Sequence, residues 1–94
     1  MNIIELILYS KPGCHLCEGL QEKLKQIKTL NVNIEIRDIT IRDDWFQAYQ
    51  YEIPVLYQKW GKYEKIIPRL SPRLSVPKLE QILLKYVLGQ EEQK

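Results

Sequence analysis

The sequence predicts an α/β domain with the element order β-α-β-α-β-β-α, a four-stranded mixed sheet flanked by helices. Three observations carry that expectation. Apolar runs of strand length alternate with stretches of helical periodicity. A Cys-x-x-Cys pair, Cys14 and Cys17, stands where the first strand gives way to the first helix. Gly61 separates two strand-like segments in the manner of a hairpin turn. Ninety-four residues, 45% of them apolar, suffice for one core and leave no room for a second. Residues 1–89 are expected to form the domain and residues 90–94 a frayed polar tail.

Residues 3–9 read as the first strand, and their nearly continuous apolar character suits a central position buried on both faces. The first helix is expected from about Cys14 to Lys28, with Cys17, Leu20, Leu24 and Ile27 on its apolar line and Gly19 allowing close packing on the sheet. Residues 32–38 alternate with period two, which predicts a second strand near an edge. Thr40 and Asp43 resemble a capping box opening a short helix with Ile41, Trp45, Ala48 and Tyr49 on one face. A strand beginning with proline follows at Ile53 to Tyr57. Gly61 turns the chain into a return strand from Tyr63 to Ile67, which Pro68 ends. Residues 69–74 are loop. Ser75 caps the last helix, whose inward positions are Val76, Leu79, Ile82, Leu83, Tyr86 and Val87, and Gly89 is expected to stop it.

The two cysteines carry the chemistry. Pro12 and Gly13 place Cys14 at a helix N-terminus, where N–H groups without intrahelical partners favour a thiolate over a thiol. Lys11 and His15 are the candidate tuning groups, each able to place positive charge beside the sulfur. Cys14, at the first turn, is expected to be accessible and to attack. Cys17, one turn later on the apolar side, is expected to resolve the mixed disulfide. A disulfide closing so small a loop restrains the unfolded chain little, so a structural staple is the weakest reading.

Composition excludes several alternatives. A closed structural zinc site needs about four ligands, and the chain has two cysteines and one histidine, so no metal site is expected. The start of the chain has neither a basic n-region nor a bilayer-length apolar run, so neither signal peptide nor membrane contact is expected. A cytoplasmic location is expected, where a Cys-x-x-Cys pair is catalytic more often than structural. The net charge of +2 is unremarkable, but residues 59–78 hold six basic side chains against Glu64 alone. That favours an anionic ligand or partner face without a nucleic-acid motif, so no nucleic acid is expected. Trp45, Tyr49 and Tyr51 are candidates for one wall of a substrate groove.

Cys14-x-x-Cys17 behind Lys11 and Pro12, the Ile53-Pro54 pair about forty residues on, and the hairpin and helix beyond it together resemble the glutaredoxin-like family of the thioredoxin fold. The resemblance covers nearly the whole chain. It implies that Pro54 is a cis-proline packed on the cysteine pair and that the backbone of Ile53 hydrogen-bonds a peptide or glutathione. It also implies a thiol–disulfide oxidoreductase acting on protein or glutathione mixed disulfides as a monomer, with no bound cofactor and glutathione as co-substrate. Familiar dithiol members carry Pro-Tyr between the cysteines and a Gly-Gly turn with an acidic residue after the fourth strand. Here those stretches are His15-Leu16 and Ile67-Pro68-Arg69-Leu70-Ser71. Arg69 and Arg73, with Lys11, are then the candidates to meet a substrate carboxylate. The missing cradle leaves open a thioredoxin-like protein-disulfide reductase that does not use glutathione. A non-catalytic iron–sulfur or metal carrier shared through Cys14, and a fold relative used only for partner binding, are the readings from other classes.

Overall fold

The strand ahead of the cysteine pair is apolar on both sides because both sides are covered. The computed structural model describes residues 3–28, 30–68, 70–71 and 73–92, of 87–92 the backbone only. In β1 (Ile3–Ser10), Leu6 and Leu8 belong to one core cluster and Ile7 and Tyr9 to another, all of them buried. β2 (Asn31–Asp38) runs parallel to β1, as a helical crossover requires. β3 (Val55–Trp60) lies antiparallel on the other side of β1, and β4 (Tyr63–Ile66) antiparallel to β3, giving the order β2-β1-β3-β4. The sheet is therefore four-stranded and mixed, with β2 at an edge. Gly61 makes the β3–β4 turn at φ +60°, a left-handed conformation that side chains disfavour.

α1 (His15–Lys25) and α3 (Val76–Glu92) cover one face of the sheet. Leu24, Leu79 and Leu83 are buried there against Leu6, Leu8 and Leu56. α1 is shorter than expected, because the N–H groups of Gln26 and Ile27 donate to Lys23 and Leu24 at i−3, tightening the last turn and closing the helix. Ile27 is still buried, just beyond the helix. Ser75 caps α3: its Oγ accepts from the N–H of Lys78 at 3.3 Å. Gly89 does not stop α3, which continues to Glu92, since one interior glycine costs about 1 kcal/mol and does not break a helix. The expected inward Val87 side chain and the end of the polar tail, Gln93 and Lys94, lie outside the described residues.

The opposite face carries an aromatic layer under the short α2 (Asp43–Tyr49). Thr40 and Asp43 do not form its cap. Asp38, two residues ahead, takes the N–H of Thr40 at 2.9 Å and its hydroxyl at 2.6 Å, opening a 3₁₀ turn over Ile39–Ile41. α2 then starts after Arg42 without a side-chain cap. The intervening turn shifts the helical phase, so Ile41 is 71% exposed, Ala48 faces out, and Trp45, Phe46 and Tyr49 pack inward. Tyr9 sits at the centre, 4.4 Å between centroids from Tyr49 and edge-on to Trp45 and Tyr57.

Arg37 ties this layer across the sheet. It donates to the Tyr9 hydroxyl at 2.8 Å, to Glu35 at 2.7 Å and to Glu64 on β4 at 3.2 Å. Burial alone would lower its pKa, but the hydrogen bonds to Glu35, Tyr9 and Glu64 outweigh burial and raise it. The Arg37 hydrogen bond in turn holds the Glu35 carboxyl below its ordinary value. Hydrogen bonds from Thr40 and from Arg42 do the same for Asp38 and Asp44. All three are depressed acids, so their contribution is full above the unfolded value of about 4 and is lost as pH falls through the lower folded values. Thermal melts should therefore hold steady from about pH 7 to about pH 5 and drop below about pH 4. Arg37→Gln should shrink that acid drop, and a stability that rises on acidification would contradict the ion-pair assignment.

Candidate functional site

A chain leaving a central strand must turn through about one helical diameter to pack back on the sheet, and residues 11–14 make that turn. The N–H of Cys14 donates to the carbonyl of Lys11 at 3.2 Å, and Gly13 takes φ +82°, a value for which glycine is the natural residue. Cys14 is thereby the N-cap of α1, in extended conformation at φ −84° and ψ 102°. Its Sγ accepts from the N–H of Cys17 at 3.2 Å, and its carbonyl takes the first helical bond, from Glu18 at 3.0 Å. A sulfur thus fills the position where serine or aspartate usually caps a helix.

Cys14 and Cys17 are joined as a disulfide, their Cα atoms 5.3 Å apart. The two sulfurs live in different surroundings. Cys14 is half-buried at the molecular surface, whereas Cys17 is 2% exposed, one turn down the side of α1 that faces the sheet.

The Ile53–Pro54 peptide bond is cis, and Pro54 directly precedes β3. Ile53 packs against the Tyr9 cluster, and its N–H donates to the carbonyl of Tyr49 at 3.1 Å. The N–H of Ile53 is thus engaged within the chain. Pro54 borders a groove of about 290 Å³ whose opposite wall includes His15 and Leu16, the two residues between the cysteines. Leu20, Leu70, Leu74 and Leu79 line its interior.

The remaining candidates are scattered around this centre. Lys11 is exposed and takes part through its carbonyl. The His15 side chain is 94% exposed with its Nδ1 3.8 Å from a Glu18 carboxylate oxygen, so an imidazolium there shares its charge with Glu18. Arg73 is exposed, its N–H donating to Ser71 Oγ, and is not among the residues lining the groove. Arg69 lies outside the described residues. Trp45 and Tyr49 belong to the aromatic layer, and Tyr51, 86% exposed, borders no part of the groove. The groove itself was missed in sequence. Leu70 and Leu74, in a stretch that reads as plain loop, supply a wall of it, and their spacing of four from each other just ahead of an apolar helix start was the available signal. Among the described residues, no group of three or more His, Cys, Asp and Glu is arranged to hold a metal ion.

The asymmetry of the pair makes a direct prediction. After reduction, Cys14 should alkylate with iodoacetamide at least about tenfold faster than Cys17, with a rate midpoint below the free-thiol value of about 8.5. Equal rates for the two thiols would contradict the assignment.

A family model described as Glutaredoxin-like domain (DUF836) matches residues 5–84. Among solved structures, thioredoxin 1 from the thermophilic eubacterium Thermosipho africanus TCF52B is similar with a TM-score of 0.61 at 17% identity, over 93% of this chain and 98% of that one. The N-terminal domain of SasA from Synechococcus elongatus has a TM-score of 0.61 at 14% identity, over 97% and 89% of the two chains. A malarial protein gives 0.57 at 12% identity, over 92% and 99%. No curated protein matches the sequence. At these identities the solved structures share the fold alone, which is thioredoxin-like. Cysteine pair, sheet order and family match agree, and the chain belongs to the glutaredoxin-like domain family.

Proposed function

We propose that the chain is a thiol–disulfide oxidoreductase that reduces protein or glutathione mixed disulfides through Cys14 and Cys17. The observation that carries this reading is the pairing of an N-capping, half-buried sulfur with a buried one inside a single Cys-x-x-Cys turn. In the reduced form the Cys17 N–H and the positive end of α1 stabilise the Cys14 thiolate. That thiolate attacks one sulfur of the substrate disulfide. A Cys14–substrate bond forms, and the other substrate sulfur leaves as a thiolate that takes up a proton. Cys17, deprotonated in its turn, attacks Cys14 Sγ, the substrate thiol departs, and the internal disulfide forms. Two electrons pass from the dithiol to the substrate. In that second step Cys14 Sγ is the sulfur under attack, and the substrate thiolate, which takes up a proton, is the leaving group.

Lys11 and His15 add positive charge near the reacting sulfur in this reading, and Ile53 and Pro54 position an extended substrate. Arg69 and Arg73 are proposed to meet a substrate carboxylate. Glutathione serves as electron donor and no resident cofactor is required. The enzyme works as a cytoplasmic monomer, apart from membranes and nucleic acid; no helix among the described residues is long and apolar enough to cross a membrane. A second reading, a reductase of thioredoxin type that does not use glutathione, is favoured by the leucine lining of the groove.

Trapping tests the scheme. Reduced Cys17→Ser, mixed with a protein disulfide, should accumulate a covalent adduct visible on a non-reducing gel, and Cys14→Ser should form none. An adduct on Cys14→Ser, or turnover unchanged in either variant, would overturn it.

A further inference from the structure

Gly19 occupies the fifth position of α1, where glycine costs about 1 kcal/mol relative to alanine. Packing does not ask for it. The residue is exposed, its backbone is ordinary helix, and a Cβ placed on it would meet no atom within 4 Å. The close contact with the sheet that its sequence position suggests is absent. What Gly19 borders is the groove beside the disulfide.

Resting on the thiol–disulfide reading above, we propose that Gly19 is a specificity-determining residue, holding this groove open for an apolar side chain that flanks the cysteine of a protein disulfide, in preference to glutathione. The occupant follows from continuity with the sulfurs. His15 and Leu16 form both the Cys14–Cys17 turn and a groove wall, so whatever is covalently bound to Cys14 has its neighbouring residues beside the groove. The chemistry of the lining selects among such occupants. Leu16, Leu20, Leu70 and Pro54 give it apolar walls, with His15, Lys23 and Ser71 as its polar part. Glutathione would bring two carboxylates and an ammonium against these leucines, and among the described residues no acidic side chain lines this groove, Glu52 bordering only the neighbouring depression. The surface continues past Pro54, where a second depression of about 90 Å³ shares Leu20, Pro54 and Leu70 and extends to Ile66 and Pro68, with Glu52 as its charged lining residue. An extended segment with apolar side chains on either side of its cysteine matches both depressions.

The redox step is the one already balanced: the reduced dithiol gives two electrons to the substrate disulfide, and a thiol reductant restores it. Single-turnover reduction by the pre-reduced protein isolates the substrate half. The probes are a peptide disulfide with leucine or phenylalanine flanking the cysteine, the same peptide with serine there, and glutathione disulfide. The wild type should favour the first by about tenfold, the discrimination expected from filling an apolar pocket. Gly19→Leu, which raises helix propensity, should cut the rate on the apolar peptide about tenfold and leave the other two within about twofold. Gly19→Ala, whose single methyl group takes less of the groove, should cut the rate on the apolar peptide by an intermediate factor of about threefold, leave the other two within about twofold, and melt higher than the wild type. Equal wild-type rates on all three probes, or a Gly19→Leu that slows all three alike, would overturn the specificity role and leave the redox reading standing. Absence of exchange with every probe, while Cys14 still alkylates, would overturn the redox reading itself.

Discussion

The N-terminus of α1 is the constraint on which the rest of the site depends. A helix must begin somewhere, and its first N–H groups need acceptors. Here the acceptor is a cysteine sulfur, and the hydrogen bond from Cys17 to Cys14 Sγ is therefore structural and chemical at once. It caps the helix with the cysteines joined, and in the proposed reaction it is the donor that meets the Cys14 thiolate. The turn that delivers Cys14 to this position uses proline and a left-handed glycine, and β1 anchors it from behind, buried on both faces.

The two faces of the sheet do different work around that point. The leucine layer under α1 and α3 continues outward into the groove through Leu20, Leu70 and Leu79, so core and groove are made of one material. The aromatic layer under α2 fixes the other side. Ile53 is held there by packing and by its bond to Tyr49, which positions Pro54 from below. Arg37 locks the same layer across β1 and β3 to Glu64, so the short α2 rests on a braced sheet. The Tyr49 and Tyr57 hydroxyls lie 3.1 Å apart, and burial followed by that bond raises the Tyr49 pKa, keeping the phenol neutral.

Most of the fold was legible in the sequence because its signals are local. Strand runs, the period of three to four in the first and last helices, Gly61 and Ser75 each state their role within a few residues. The misreadings arose where two local signals competed. Asp38 took the hydroxyl and N–H of Thr40 that a capping box would have used, and the resulting 3₁₀ turn moved Ile41 off the apolar face. Gly89 looked like a stop although α3 runs on through it. The cysteine pair was legible because its chemistry lies in spacing. The groove was not, because it joins α1, the approach to β3 and the loop before α3, three segments brought together only by the sheet order. Gly19 shows the same limit: its sequence position suggested packing, and its open surroundings point to the groove instead.

The reduction potential of the Cys14/Cys17 pair tests the central claim most directly. Equilibration in glutathione redox buffers, read by thiol mass-tagging with both serine variants as controls, gives it in one titration. The account predicts a reversible two-electron transition between about −200 and −270 mV, the range spanned by glutaredoxins and thioredoxin. A pair that stays reduced at every buffer ratio, or a transition unchanged by Cys14→Ser, would contradict it.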